Sequence, residues 1–340
     1  MRNAAPPGAA REGAKMRPGR GFRRFCVLLC AGLLVLGGWR AAGSPGLDAL
    51  QQETERLQES IRQVRETSAA VTPTATPVPA VSAGLDVQAL DAFCAAQSGS
   101  FSVYILDLST GEEYSYGASA QYYPASLLKA PYALWLCNLA EEGLLDLDGE
   151  LYNLYAGQLA DTTLAAYDGE ETIPIWSALH AMIADSDNLA MRMLAAVWPG
   201  IQDTGFQSFL GELEFELPGS CSISMEEGIA GVMTVTDAGR AMAALYDYFE
   251  TGTDTALRLR QCFLDADHTA LFIPDGVEAA KKYGSWDDAF HDLAIVYAAR
   301  PYILCCMTDQ GDTDVDFPTE PVEAMQQLGR LVYEQLNPAA

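Results

Sequence analysis

Residues 279–308 read AAKKYGSWDDAFHDLAIVYAARPYILCCMT. Three runs rich in apolar, β-branched and aromatic residues lie in it, at 279–285, 291–298 and 302–308. Polar or proline-bearing breaks separate them, the pattern of consecutive strands. The part after Gly284 reads as a β-hairpin. Well upstream, SVYILDLSTGEEYSYG (102–117) offers two short strands around a Ser-Thr-Gly turn, preceded by a helix over 87–96. Between these ends, roughly 125–250 is mostly helical by spacing, with Gly and Pro punctuation, and 321–336 reads as a closing amphipathic helix. Strands at both ends of a helical middle predict an antiparallel sheet of about five strands assembled from both ends of the domain. The expected fold class is therefore α/β of the α+β type: a sheet flanked by helices, plus a helical subdomain.

Composition narrows the function. The 340-residue chain is 49 % hydrophobic, enough for a sizeable core, and carries a formal charge of −26. Residues 1–46 hold eight Arg/Lys against one Glu, leaving 12 positive and 45 negative charges for the rest. So acidic a body is unsuited to nucleic-acid phosphates or an anionic membrane surface. Only four lysines occur: Lys15, Lys129, Lys281 and Lys282. Acidic residues solvate the surface instead, so the three lysines of the body call for another explanation.

The N-terminal region divides into three pieces. Residues 1–43 combine an Arg-rich flank, 15 uncharged residues (25–39) and a small-residue site at Ala41–Ala42–Gly43. This is the pattern of a signal peptide or a retained signal anchor, and it predicts an extracytoplasmic protein, secreted or membrane-anchored. Translation starting at Met1 or at Met16 would preserve it. Residues 44–71 follow, in which Leu50, Leu57 and Val64 repeat every seven residues beside Leu47, Thr54 and Ile61. This reads either as a solvated stalk helix or as a short coiled coil that self-associates through 47–64. A Pro/Thr linker spans 72–84, and a single globular domain is expected over 85–340. Of the eight cysteines, Cys26 and Cys30 lie in the leader, and the other six form no C-x-x-C pair. They read as buried thiols, and with three histidines the chain presents no metal-ligand pattern and implies no cofactor.

Three stretches carry chemistry. In YYPASLLKAPYALWL (122–136), a helix starting near Ser126 would set Ser126 and Lys129 one turn apart on one face. A serine there meets the positive end of the helix dipole, and a lysine acts as its base only where burial or a second cation lowers its pKa. Alone, the pattern reads equally well as a capped helix. Ser186–Asp187–Asn188 lies at a loop-to-helix transition, and Lys282–Tyr283–Gly284 lies on the first strand of the opening stretch, where Lys282 would supply the second cation.

S-x-x-K, S-D-N and K-Y-G in this order resemble the class A β-lactamases and their penicillin-recognising relatives, which carry S-x-x-K, S-D-N and K-T-G. The likeness covers roughly 250 residues and implies a β-lactamase/transpeptidase-like fold with its cleft between the sheet and the helical subdomain. It implies that Ser126 is the acylated nucleophile and Lys129 its proton acceptor. Ser186 would pass a proton to the leaving nitrogen, and Lys282 would keep that environment positive. The backbone amides of Ser126 and Ser285 would form the oxyanion hole, worth about 3 kcal/mol per donor. Asn188, Tyr283 and Gly284 would meet the substrate. Two departures stand out. Tyr283 replaces the Thr whose hydroxyl would meet a substrate carboxylate. No E-x-x-L-N segment supplies a deacylation base, and the candidates in the segment between Ser186 and the helix starting near Thr236 are Glu226 and Glu227 in SMEEGIAG.

The expected activity is an exported serine acyl-transfer hydrolase acting on β-lactams or D-Ala-type peptidoglycan peptides, with slow deacylation. The alternative is a catalytically reduced domain that binds cell-wall peptide or a partner through the same cleft. No G-x-S-x-G elbow, P-loop, G-x-G-x-x-G or H-E-x-x-H occurs. His291 and Asp292 are strand neighbours that face opposite sides, which does not suit a catalytic pair. His180 and His268 read as structural or exposed, and Tyr122 and Trp286 as cleft or core aromatics.

Overall fold

The computed structural model describes residues 84–338 apart from 202, 203 and 316, and the fold belongs to the unit Ala80–Ala340. The leader, the stalk with its possible self-association and nearly all of the linker lie outside the described residues. Among those described, no helix is long and apolar enough to cross a membrane.

Helix α1 (Val87–Ala95) is followed by β1 (Phe101–Asp107) and β2 (Glu113–Tyr116). The sheet is completed from the far end of the chain by β7 (Ala279–Trp286), β8 (Ala289–Val296) and β9 (Tyr302–Thr308), in the order β2-β1-β9-β8-β7. Every neighbouring pair is antiparallel, and β9 is the seam between the two ends, with Phe101 opposite Thr308 and Asp107 opposite Tyr302.

Every residue of β8 and β9 is buried, because helices cover both faces of the sheet. Successive side chains take opposite faces. Leu293, Ile295, Ile303, Cys305 and Met307 join the helical core, whereas Ala294, Val296, Leu304 and Cys306 join α1 and α8 (Thr319–Leu336). Continuous apolar runs, not alternating ones, are what burial on two faces produces. The six cysteines of this domain are buried and unpaired.

The helical side is built from α2 (Lys129–Glu141), α3 (Ile175–Ala184), α4 (Asn188–Val197), α5 (Phe206–Glu212), α6 (Val235–Glu250) and α7 (Asp254–Leu264). Nine consecutive residues of α2, Lys129 to Cys137, are buried, so this helix is enclosed on all sides. Pro131 is tolerated because it sits in the first turn, where no intrahelical partner is lost. Tyr132, Trp135 and Phe206 cluster with ring centroids 5.5–5.8 Å apart. Each such side chain contributes roughly 1.5–3 kcal/mol by burial. The Tyr132 hydroxyl escapes desolvation by donating to Trp198 O at 2.6 Å. Helix α6 starts in a capping box between Thr234 and Asp237 and lies directly on the sheet. A Cβ at Gly239 would fall 2.3 Å from the Tyr104 ring, so only glycine permits that approach.

Two short hairpins complete the domain: β3 (Glu150–Tyr152) with β4 (Thr172–Pro174), and β5 (Ser222–Ser224) with β6 (Gly228–Ala230). The second of these matters for the site.

Candidate active site

Ser126 sits on a 3₁₀ turn, Ala125–Leu128, and the α-helix begins only at Lys129. This corrects the expectation of an α-helix starting at the serine. Ala125 has φ +45°, a left-handed value uncommon for a residue with a side chain, and it turns the chain sharply into Ser126. The preceding segment is pinned from beneath by His291, whose Nε2 lies 2.9 Å from Tyr123 O while its Nδ1 accepts from Thr308 N at 3.2 Å. That pairing makes Nε2 the protonated nitrogen. Burial pushes the ring's pKa down to about 4, so His291 is a neutral brace under the loop. Tyr122 packs edge-to-face against it with ring centroids 5.5 Å apart and bonds Ser102 Oγ at 2.8 Å, a core position.

Lys129 heads the enclosed helix, so its ammonium is taken out of water. It donates to Ser186 O at 2.5 Å and to Asn188 Oδ1 at 2.7 Å, with Ser186 Oγ at 3.4 Å. Burial first, and the charge of Lys282 second, hold its pKa well below the ordinary lysine value, against an opposing pull from Asp187. Both causes shift Lys129 toward its neutral form. It makes no hydrogen bond to Ser126 Oγ.

The S-D-N loop is shaped to receive it. Asp187 caps α4, accepting from Leu189 N at 2.7 Å and Ala190 N at 2.9 Å. Ser186, with φ +58°, joins the end of α3 to that cap, which turns both its carbonyl and its hydroxyl toward Lys129.

Across the cleft, Lys282 on β7 is 1 % exposed and donates to Tyr283 O at 2.9 Å. Burial lowers its pKa to about 7, resisted by the charges of Asp292 and Asp185. Asp292 is itself buried, accepting from Thr269 Oγ1 at 2.7 Å, Ala270 N at 2.5 Å and Leu271 N at 3.0 Å, and so ties the 269–271 loop to β8. Its pKa rises to about 6 because burial outweighs those bonds. β7 passes very close to the serine turn. A Cβ on Gly284 would lie 3.0 Å from Ser126 N and 3.1 Å from Leu127 N, so glycine lets the amides of the turn and of the following Ser285 approach each other.

The resulting cleft is about 210 Å³, lined by Ser126, Asn188, Ser285, Glu227 and Trp286 together with Tyr123 and Arg192. Trp286 stands at its rim, 67 % exposed. Tyr283 is not among the lining residues. Its ring packs against Phe317 (5.3 Å) and His268 (5.6 Å), with Lys282 Nζ 4.8 Å from the ring centroid. It stands at the sheet edge on the α8 side because strand neighbours alternate. Glu226 and Glu227 form the exposed turn of the β5–β6 hairpin, and only Glu227 reaches the cleft lining. His180 pairs with Asp265 at 3.0 Å on the surface.

Sequence reasoning passed over two residues here. Asp185 precedes the S-D-N motif, and its Oδ2 is buried without a hydrogen-bond partner among the described residues. Arg192 lies four residues after Asn188, on the same helix face, and that spacing was the available signal.

The comparisons with known proteins agree with this architecture. The profile of the beta-lactamase enzyme family matches residues 86–336. The chain belongs to that family. It is a β-lactamase-like, serine-hydrolase-type domain with the α/β fold of its structural neighbours. One neighbour is a point mutant of PBP-A in an acyl-enzyme complex with penicillin G, 19 % identical, with TM-score 0.58 over 73 % of this chain and 94 % of that one. An ancestral class A β-lactamase (GNCA) is 20 % identical, with TM-score 0.59 over 73 % and 98 %. A β-lactamase from Desulfarculus baarsii is 18 % identical, with TM-score 0.61 over 75 % and 100 %. Among curated proteins, none matches the chain.

Proposed function

We propose that this protein is an extracytoplasmic serine acyl-transfer hydrolase that opens β-lactams or D-Ala-type peptidoglycan peptides through a Ser126 ester, which it then hydrolyses slowly. The observation that carries this reading is the pair of buried lysines, Lys129 bonded to Ser186 and Lys282 near enough for its charge to act on Lys129, on the two elements that also bring Ser126 and Ser285 to the cleft lining. Burying two lysines with no ion-pair partner among the described residues penalises their charged forms, and such an arrangement is expected where a depressed pKa serves chemistry.

In the proposed step, neutral Lys129 takes the Ser126 Oγ proton as Oγ attacks the carbonyl carbon. The oxyanion forms against the amides of Ser126 and Ser285. The C–N bond then breaks, and the nitrogen takes its proton from Ser186 Oγ, which is re-protonated from the lysine side. Water later cleaves the ester, regenerating Ser126 and releasing a carboxylic acid. The acyl-enzyme that the PBP-A mutant forms with penicillin G supports the reading by likeness of fold. Slow hydrolysis follows from the site's second half: the acidic candidates are exposed hairpin residues, not a group held over the ester.

A fluorescent penicillin incubated with the protein, followed by mass spectrometry, tests the proposal. Covalent label on Ser126, absent from Ser126→Ala, is the expected result; no label on the wild type sinks it. The alternative, a cell-wall peptide-binding domain without turnover, draws on the lack of a Lys129–Ser126 hydrogen bond and on the placement of Tyr283 away from the cleft. Peptide binding without any label would favour it.

A further inference from the structure

Six arginines lie among the described residues. Four are ion-paired: Arg240 with Glu214, Arg258 with Asp148, Arg260 with Glu278 and Arg300 with Asp107. Arg330 lies over the Phe272 ring. Arg192 differs from all of these. In a chain with 46 acidic residues, no carboxylate among the described residues lies within ion-pair distance of it. It is also the one arginine lining the catalytic cleft among the described residues, and neither Lys129 nor Lys282 reaches that lining.

Its geometry divides the guanidinium. Nη1 donates to Met225 O and Glu226 O, which ties the β5–β6 turn to α4. Nη2 lies beside Gly228 and makes no hydrogen bond or ion pair among the described residues. One turn back on the same face is Asn188, also a cleft residue, and residues four apart on a helix are about 5–6 Å apart. Met191, Ile229 and Glu227 share the cleft lining with Arg192, and Glu227 is the one carboxylate among those lining residues.

We propose that Arg192 is a specificity residue that selects substrates bearing an anionic group on the acyl arm, close to the arm's amide. This rests on the acyl-transfer reading above, in which Asn188 meets that amide. An arm running on from Asn188 passes Arg192 next, and a carboxylate there meets a guanidinium whose inner nitrogen is already fixed and whose outer one is available. The fork is pre-organised by the two carbonyls, so little side-chain entropy is lost when the anion binds. Glu227 is the opposing charge in the same cleft and sets a limit on how far the anion extends.

Benzylpenicillin and carbenicillin test this, because they differ by one carboxylate on the carbon next to the arm's amide. Two quantities are measured: their acylation efficiencies on the wild type, and their affinities for Ser126→Ala by NMR titration. The expected result is a preference for carbenicillin in both. The preference should fall about tenfold in Arg192→Gln and in Arg192→Gln/Ser126→Ala, the scale of one charge-assisted hydrogen bond. Arg192→Lys should retain part of it. If Arg192 only braces the hairpin, both probes weaken alike and the ratio stays fixed, which overturns the proposal. Absence of acylation together with a preserved, Arg192-dependent affinity ratio would retire the acyl-transfer chemistry and leave the specificity assignment standing. Equal affinities in the Ser126→Ala protein would retire the specificity assignment alone.

Discussion

The two walls of the cleft are built to different standards. One is backed by the buried Lys129 and Lys282 and carries the half-buried S-D-N loop with its exposed Asn188, both lysines being fixed by hydrogen bonds to main-chain and side-chain oxygens. On the other, Glu226 and Glu227 occupy the exposed turn of a hairpin of three-residue strands, and Arg192 holds it through main-chain oxygens only. The first wall removes charge from water and so shifts pKa values. The second leaves its carboxylates solvated. On the acyl-transfer proposal, this contrast favours making an ester over breaking one, because activating a water needs a base fixed near it.

The sharpest way to break this contrast is at the nucleophile. Ser126→Ala is expected to abolish covalent penicillin labelling, read by intact-protein mass. Next is Lys129→Met, which keeps the stem packed in α2 but removes the base. Acylation should fall by about 10²–10⁴, the range of general-base catalysis. An effect below tenfold would move the base elsewhere.

Lys282 separates activity from stability. Lys282→Met should lower acylation, by roughly 10²-fold if its charge stabilises the transition state as other fixed donors do. In the same variant, stability at neutral pH should rise. Lys282 titrates at about 7 when folded and near 10.5 when unfolded. Between those values the unfolded chain binds more protons, so this residue makes stability climb with pH from about 7 to 10.5, and the full penalty applies below 7. Removing the lysine should add on the order of a few kcal/mol at pH 7 and flatten that climb. Urea midpoints at pH 7 and 10 measure both. The smallest effects belong to the exposed wall. Glu227→Gln should slow release of the acyl group by at most about tenfold, below the usual range for a fixed base, and Glu226→Gln should leave it unchanged. A loss of 10²-fold or more in Glu227→Gln would show that the hairpin reorganises around substrate. The decay of labelled protein in a chase experiment distinguishes these.

The division also explains what could be read from the residues alone. The five-stranded sheet was legible because runs such as 302–308 are apolar, only seven residues long and preceded by a proline, as strands buried on both faces are. The boundary at His291 was misplaced, since β8 starts at Ala289 behind a tight turn in which Asp287 takes φ +52°. The hairpins at 150–174 and 222–230 left no trace: strands of three residues are too short for any periodicity. At the site, Ser126, Lys129, Ser186, Asn188 and Lys282 were legible as motifs. Tyr283 was assigned to the substrate by motif position alone, and its ring packing with Phe317 could not be foreseen. Asp185 carries no motif and Arg192 only its four-residue spacing from Asn188, while the partners they lack are a property only three dimensions reveal.

The seam between β1 and β9 has a kinetic consequence. Phe101 pairs with Thr308, so the central contact of the sheet closes a loop that contains nearly all the helical side. Until the last strand has been made, β1 lacks its β9 partner and β8 has no neighbour on that side, so the sheet that carries Lys282 is incomplete. Non-local pairing of this kind slows folding, and for a time it keeps the chain unfolded and open to aggregation. Truncation just before Tyr302 should therefore leave no partial enzyme, only a chain that cannot begin to close.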